Sequence, residues 1–358
     1  MSTEFNPDRL LLAMARRKMK LKELAASIDI STRSLSLYKN GHEEPSITTI
    51  EKIANCLGYA TSFFYGEQLE AIEVDSVSFR SMSKMTAAKR NAALAAGTYA
   101  LAFNQWMEGH FQLPASNIPD LREASPEAAA DLIRNKWSLG EMAIKNMVHL
   151  LESKGVRVFS LAENNREVDA YSFWKDERPF VFLNTMKSAE RSRFDAAHEL
   201  GHLVLHKHAS PSGREIEIEA DRFASALLMP AGTVKTSAIK FPTLDQLIKL
   251  KKKWSVSVAA LVRRLSDLGL ITEWHYRSLS IEMSQRGYFK QEPEGTKRET
   301  SLILDKVMLA LWKEGITREA IAKELLLPVP EISSFLFDLQ EPESSSHQKT
   351  KPNLSLVN

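Results

Sequence analysis

The stretch RSRFDAAHELGHLVLHKH, residues 191–208, contains four of the nine histidines of the chain. Two of them, His198 and His202, enclose Glu199 in the pattern His-Glu-x-x-His. On a helix, residues four apart differ by about 40° in direction and about 6 Å in height, so both imidazoles can reach one metal ion. Glu199 lies about 100° around the helix from His198, where its carboxylate reaches a water molecule at the metal. The spacing predicts a zinc site with Glu199 as general base, although an isolated match also arises in ordinary amphipathic helices.

A third metal ligand is expected from the helix predicted over REIEIEADRFASALLMP, residues 214–230. This helix carries three acids, Glu215, Glu217 and Glu219, and its apolar face is formed by Ile216, Ala220, Phe223, Ala224 and Leu227. Glu219 projects about 60° from this face, whereas Glu215 and Glu217 lie about 100° away. Because a ligand must point inward, toward the first helix, we predict a zinc ion held by His198, His202 and Glu219.

Two further histidines of the opening stretch are weaker candidates. His206 sits about 12 Å along the helix axis from His198, which is too far for both to bind one ion. We interpret it as a residue behind the ligands or on the surface. His208 has the spacing of a metzincin motif, but that motif needs glycine where this chain has Leu205.

The segments before the histidine helix have the composition of strands. GVRVFSL (155–161), EVDAYSFW (167–174) and RPFVFLN (178–184) are enriched in Val, Phe and Tyr and are separated by polar breaks, which predicts a small sheet. The histidine helix then begins near Ser188. A mixed α+β core is expected here, with a helical extension behind it.

This region resembles the ImmA/IrrE family of metallopeptidases. The resemblance is carried by RPFVFLNTMKSAERSRFDAAHELGHLVLH (178–206) and EIEIEADRFASALLMP (215–230). It implies zinc on the ligands named above, Glu199 as catalytic base, Asp221 orienting a ligand and Arg193 bracing the site. It also implies the usual role of the family, which is cleavage of a helix-turn-helix repressor, often in response to DNA damage or phage-related stress.

Residues 1–66 read as a run of short helices. Asn6 and Pro7 form a helix start, Ser31 is the N-cap of a later helix and Gly41 closes it. Two short helices joined by a tight turn, the second rich in Ser, Thr, Arg and Lys, are typical of a helix-turn-helix. The alternative is a helical protein-interaction module with a polar third helix.

The stretch ELAASIDISTRSLSLYKNGHEEPSITTIEKIANCLG, residues 23–58, resembles the lambda-repressor (Xre) class of helix-turn-helix domains. It departs from that class at Asp29, where glycine is usual. Aspartate tolerates the left-handed conformation better than most residues, so we expect the turn to persist. The resemblance implies that four residues face the major groove of double-stranded DNA: Thr32, Arg33, Ser36 and Lys39. Modest affinity from one copy favours a homodimer.

Composition restricts the class of protein. The 358 residues are 44% hydrophobic and 26% charged, and the net charge of +2 means that any nucleic-acid surface must be local. The single cysteine, Cys56, excludes an intramolecular disulfide. The N-terminus is unlike a signal peptide, and the most apolar stretch is shorter than the about 20 residues that span a bilayer. We therefore predict a cytoplasmic protein without a membrane segment.

The remaining sequence is helical in composition. The basic run Lys249–Lys253 is interpreted as a solvated face rather than a nucleic-acid contact. The stretch 314–339, with Pro328 and Pro330 in its turn, is helix-turn-helix-like, and a packing role explains it as well as DNA binding does. The predicted divisions are a helix-turn-helix domain (1–68), a helical connecting region (69–150), a peptidase core (151–242), a helical extension (243–340) and a disordered tail (341–358).

The sequence thus predicts a multidomain protein, in which an all-α helix-turn-helix domain precedes an α+β zincin-like metallopeptidase domain with a helical C-terminal extension. The predicted function is limited, zinc-dependent proteolysis of a repressor or similar partner by a DNA-binding regulator. The alternative is a transcription regulator or antitoxin whose peptidase-like domain acts as a sensor without efficient catalysis.

Overall fold

A computed structural model describes residues 4–72, 86–161, 170–207 and 213–337, and the backbone of 78–79. The helices of the N-terminal half are α1 (Pro7–Arg16), α2 (Leu21–Ser27), α3 (Thr32–Lys39), α4 (Ile47–Leu57), a 3₁₀ helix (Thr61–Tyr65), α5 (Ala87–His110), α6 (Pro126–Lys136) and α7 (Met147–Ser153). The strands are β1 (Ser78–Phe79), β2 (Arg157–Leu161), β3 (Tyr171–Lys175) and β4 (Arg178–Asn184). The later helices are α8 (Ala189–Leu205), α9 (Arg214–Leu228), α10 (Ala231–Ser237), α11 (Leu244–Lys251), α12 (Val258–Asp267), α13 (Glu273–Gln285), α14 (Leu302–Lys313), α15 (Arg318–Glu324) and α16 (Val329–Phe335).

The N-terminal helices begin where the sequence places their caps. The Asn6 side chain accepts a hydrogen bond from the backbone N–H of Asp8, and the Ser31 hydroxyl accepts one from Ser34. The turn between α2 and α3 contains Asp29 at φ 55°, the left-handed conformation that glycine usually supplies at this place. The prediction that aspartate preserves the turn is confirmed.

The sheet has the strand order β1-β3-β4-β2. β2 and β4 are parallel, with Val158 opposite Val181, and β3 runs antiparallel to β4. The three strands predicted from composition are therefore confirmed. The fourth, β1, pairs with the outer edge of β3 and lies in a stretch that was expected to be helical. Residues 73–77 and 80–85, on either side of β1, fall outside the described residues.

The histidine helix α8 lies between the sheet and α9. The helix begins after its N-cap Ser188, close to the predicted start, and its residues contact β3 and β4 on one side and α9 on the other. At Gly201 a Cβ atom would lie 3.1 Å from a ring carbon of Phe223 and 3.2 Å from the Cα of Ala220. Glycine at this position therefore allows α8 and α9 to approach closely enough to share one site.

The long helix α5 connects the N-terminal helices to the sheet. The hydroxyl groups of Tyr59 and Tyr99 are 3.0 Å apart in a buried hydrogen bond between the N-terminal domain and α5. One turn further on, Phe103 contacts Phe159 of β2 and Phe335 of α16. The N-terminal domain, the sheet and the last helices consequently share one apolar core.

The C-terminal helices pack against this core. α16 is the second helix of the helix-turn-helix-like stretch, and its Ile332 and Phe335 are buried against α5 and β2, so its role is packing. Pro330 lies inside the first turn of α16 rather than in the preceding turn. Lys251 of the basic run is buried and pairs with Glu292 at 3.0 Å, so this run is only partly a solvated face. No described helix is long and apolar enough to cross a membrane.

Candidate metal centre

Two imidazoles and one carboxylate converge between α8 and α9. His198 Nε2 lies 3.0 Å from His202 Nε2, and the Glu217 carboxylate lies 3.4 Å from the first atom and 3.5 Å from the second. Both histidines are buried, with 1% and 4% of their surface exposed. The Glu217 Oε2 atom is also buried and faces His198 Nε2. Within the described ranges, these three residues form a group that can hold a metal ion.

The third residue of this cluster is Glu217 and not Glu219, which corrects the ligand predicted from the sequence. Glu219 instead lies 2.9 Å from His206, and 48% of its side chain is exposed. Side chains two residues apart on a helix point about 160° away from each other, so α9 presents either Glu217 or Glu219 to the histidines. The helical period gives these directions, but the rotation of α9 against α8 is fixed by packing between the helices.

Asp221 supports the same edge of α9. It follows Glu217 by four residues, and its Oδ1 atom lies 2.9 Å from His198 Nδ1. A carboxylate on Nδ1 holds the ring so that Nε2 points into the site, which is a common arrangement behind metal-binding histidines. The spacing Glu217-x-x-x-Asp221 is a sequence signal that distinguishes Glu217 from Glu219, because it places a ligand and a histidine partner on one edge.

Glu199 points back toward the sheet from the same helix. It is buried, and the hydroxyl of Ser172 on β3 donates to its Oε2 atom at 2.6 Å. Burial raises the pKa of Glu199 to about 8, against the opposing effects of His198 and of the Ser172 hydrogen bond. Sequence reasoning missed Ser172, although a serine between Tyr171 and Phe173 in a buried strand is a signal for a specific partner.

The electrostatics of the cluster favour a cation. Burial lowers the pKa of His198, but hydrogen bonds to Asp221 and Glu217 outweigh it and raise the pKa to about 9. Burial lowers the pKa of His202 to about 4. For Glu217, burial raises the pKa, but hydrogen bonds to both histidines bring the pKa well below its ordinary range. The carboxylates of Glu217 and Asp221 thus stabilise one positive charge on the two imidazoles.

Arg193 braces the helix rather than the ligands. Its guanidinium is buried and donates to the Glu299 carboxylate and to the backbone carbonyl of Ile144. Nearby, Glu190 accepts a hydrogen bond from the backbone N–H of Thr296 at 2.6 Å. These contacts tie the first turns of α8 to the segment between α13 and α14.

The four residues predicted to contact DNA lie on α3. Thr32 and Arg33 are exposed in its first turn, and Ser36 and Lys39 are half-buried further along the helix. Leu35 is buried and holds α3 against the N-terminal core. His208, set aside as a ligand on sequence grounds, lies outside the described residues.

Two family profiles match separate parts of the chain. Residues 10–64 match the profile of the helix-turn-helix family HTH_3, and residues 151–266 match that of Peptidase_M78, described as the IrrE N-terminal-like domain. No curated protein matches the chain. The predicted resemblances and the predicted fold class are confirmed. The chain thus contains a segment that matches a helix-turn-helix family of DNA-binding type, followed by a segment that matches the IrrE N-terminal-like domain of a metallopeptidase family.

Proposed function

We propose that this protein is a zinc-dependent endopeptidase that cleaves a helix-turn-helix repressor, and that its N-terminal domain binds operator DNA. The observation that carries the proposal is the cluster of the buried His198 and His202 with the half-buried Glu217, beside the buried Glu199. Zinc binds imidazole and carboxylate ligands tetrahedrally at about 2.0–2.2 Å, which requires ligand atoms about 3.3–3.5 Å apart. The two separations between the Glu217 carboxylate and the imidazole nitrogens, 3.4 and 3.5 Å, fit this requirement. The two imidazole nitrogens, 3.0 Å apart, are closer together than it requires, so the rings must separate slightly when the ion binds.

The residues around the cluster supply the remaining chemistry of peptide hydrolysis. When bound, zinc lowers the pKa of a water molecule and polarises the carbonyl group of a peptide bond. Glu199 takes a proton from the attacking water and returns it to the nitrogen of the leaving amine. Ser172 fixes the Glu199 carboxylate through Oε2, which leaves the other oxygen for the proton. Asp221 holds His198 with Nε2 directed at the ligand cluster.

The fusion with a DNA-binding domain supports limited rather than general proteolysis. α3 exposes Thr32 and Arg33, and the domain that carries it is packed against α5, which also contacts the sheet. Binding to an operator in the cytoplasm would therefore hold the peptidase next to a repressor on the same DNA. We expect a homodimer, because helix-turn-helix proteins commonly read two half-sites about one DNA turn apart.

The ligand set is tested by zinc content. Purified wild-type protein is expected to retain about one zinc ion per chain, and Glu217→Gln is expected to lose it. Glu215→Gln is the matched control, because Glu215 is an exposed glutamate on the same helix. Absence of zinc from folded wild-type protein, after zinc has been supplied, would refute the peptidase proposal.

Catalysis is tested separately. Wild type and Glu199→Gln are incubated with a panel of purified helix-turn-helix repressors, and each mixture is analysed by intact mass spectrometry. The same spectra report self-cleavage, since the chain contains a domain of the type expected as substrate. Cleavage by wild type alone supports the proposal. A zinc-loaded protein that cleaves neither the panel nor itself would instead favour a DNA-binding sensor without efficient catalysis.

A further inference from the structure

We infer that His206 and Glu219 form a positioning relay that orients His202 for metal binding. The inference rests on the proposed metal centre and concerns two residues outside the ligand set. His206 Nδ1 lies 3.1 Å from His202 Nδ1, and His206 Nε2 lies 2.9 Å from Glu219 Oε2. The two ligand histidines therefore differ in the support of their Nδ1 atoms. His198 Nδ1 contacts the Asp221 carboxylate directly, whereas His202 Nδ1 is connected to the Glu219 carboxylate through the His206 imidazole.

The position of His206 follows from the end of α8. His206 is the residue at which the helix terminates, and its backbone N–H donates to the carbonyl oxygen of His202 at 2.9 Å. Its ring centroid lies 5.2 Å from that of His202, and only 8% of its side chain is exposed. The imidazole is consequently held against His202 by backbone and side-chain contacts together. Glu219 reaches it from α9 and leaves the outer end of the relay open to solvent.

The hydrogen bonds of the relay allow one placement of protons that is compatible with a metal on His202. A neutral imidazole has one N–H donor and one acceptor nitrogen. If His202 Nε2 binds a metal ion, Nδ1 carries the proton and donates it to His206 Nδ1. His206 then carries its own proton on Nε2 and donates it to the Glu219 carboxylate. Each nitrogen and the carboxylate oxygen thus has a partner in its proper role.

The reverse placement would block the site. A proton on His206 Nδ1 would be donated to His202 Nδ1, and His202 would then carry its proton on Nε2, where the metal binds. The Glu219 carboxylate accepts hydrogen bonds and cannot donate them when ionised, so it favours the proton on His206 Nε2. Glu219 therefore selects the tautomer of His206, and His206 selects that of His202.

The test measures zinc affinity by competition with a chromogenic chelator, and the visible absorption spectrum after Co²⁺ replaces zinc. His206→Leu and Glu219→Ala are expected to weaken zinc binding by roughly 10- to 100-fold, with one ion still bound at saturation. The Co²⁺ spectrum should shift, because the His202 ring is no longer fixed. His206→Asn, which retains an acceptor oxygen, should recover most of the affinity. Glu215→Ala should behave as wild type.

A double variant separates a relay from two independent effects. In a relay, removal of His206 already disconnects Glu219, so His206→Leu combined with Glu219→Ala should bind zinc no more weakly than His206→Leu alone. Additive losses, or unchanged affinity and an unchanged Co²⁺ spectrum in both single variants, would overturn the inference. These results are distinct from failure of the proposed function, in which wild-type protein itself would bind no zinc.

Discussion

Glu331 on α16 accepts hydrogen bonds from Arg16 Nε and Arg17 Nη1, both at 2.7 Å. The two arginines lie at the end of α1 in the helix-turn-helix domain, so this carboxylate connects the first helix of the chain to its last described helix. Glu331 has 3% of its side chain exposed, compared with 12% for Arg16 and 31% for Arg17. We predict that Glu331→Gln weakens the docking of the N-terminal domain.

The size of the effect follows from burial. Removal of one partner from a buried ion pair typically costs about 3–5 kcal/mol, because the other charge remains buried. Arg17 is partly exposed, so water replaces some of its lost contact, and we expect about 2–3 kcal/mol. Since about 1.4 kcal/mol corresponds to a tenfold change in an equilibrium constant, the population in which the N-terminal domain is undocked should rise roughly 30- to 150-fold.

Hydrogen exchange monitored by mass spectrometry measures this change locally. Peptides from α1 should lose protection by that factor in Glu331→Gln, whereas peptides from β4 should keep theirs. The control is Glu324→Gln, which alters an exposed glutamate on α15. In a double-mutant cycle, Arg17→Met should cost less in the Glu331→Gln background than in wild type. Unchanged exchange in α1 would show that the ion pair does not hold the domains together.

Three further predictions concern separate parts of the molecule. Arg33→Ala should weaken DNA binding, measured by fluorescence anisotropy, by about 1–3 kcal/mol. The DNA is a duplex that the wild type selects from a random pool. Arg277→Ala, which alters an exposed arginine far from α3 in the sequence, should bind this duplex as the wild type does. Burial raises the pKa of Glu152 in the folded protein to about 7, from an ordinary 4.5. Protonated Glu152 therefore contributes its full stabilisation below pH 4.5, and this stabilisation is lost as the pH rises through about 7. Between pH 5 and 8, the free energy of unfolding measured in urea should therefore fall by up to about 3 kcal/mol more for wild type than for Glu152→Gln. The same pH dependence of this free energy in both proteins would contradict the prediction. Ser172→Ala should leave the zinc content unchanged and lower kcat on a cleaved substrate roughly tenfold, because the Glu199 carboxylate is no longer held in position. An unchanged kcat would show that Ser172 does not position Glu199 for catalysis.

The parts of the fold that depend on neighbouring residues were predictable from the sequence. The caps at Asn6, Ser31 and Ser188 act on the next few backbone amides, so their effect is visible in a short window. The left-handed residue Asp29 belongs to the same class, because turn geometry is local. His198 and His202 could be paired for a related reason. They are four residues apart on one helix, and this spacing alone fixes the angle between their side chains.

The parts that depend on how elements pack were not predictable in this way. Choosing Glu217 over Glu219 requires the rotation of α9 about its own axis, which is set by contacts such as Gly201 with Phe223. The contact between Ser172 and Glu199 depends on how β3 is positioned along α8, which the sequence of neither element specifies. β1 pairs with a strand more than ninety residues later, and neither segment alone indicates the other.

The ion pairs of Glu331 also have a consequence for the order in which the protein matures. Arg16 and Glu331 are separated by 315 residues along the chain. The helix-turn-helix domain therefore leaves the ribosome long before α16 has been synthesised. At about 5–20 residues per second, the interval is roughly 15 to 60 s. During this time Arg16 and Arg17 lack their carboxylate, and the N-terminal domain is an independent unit on a growing chain. Its docking is therefore among the last steps of maturation, after the metal helices have been synthesised.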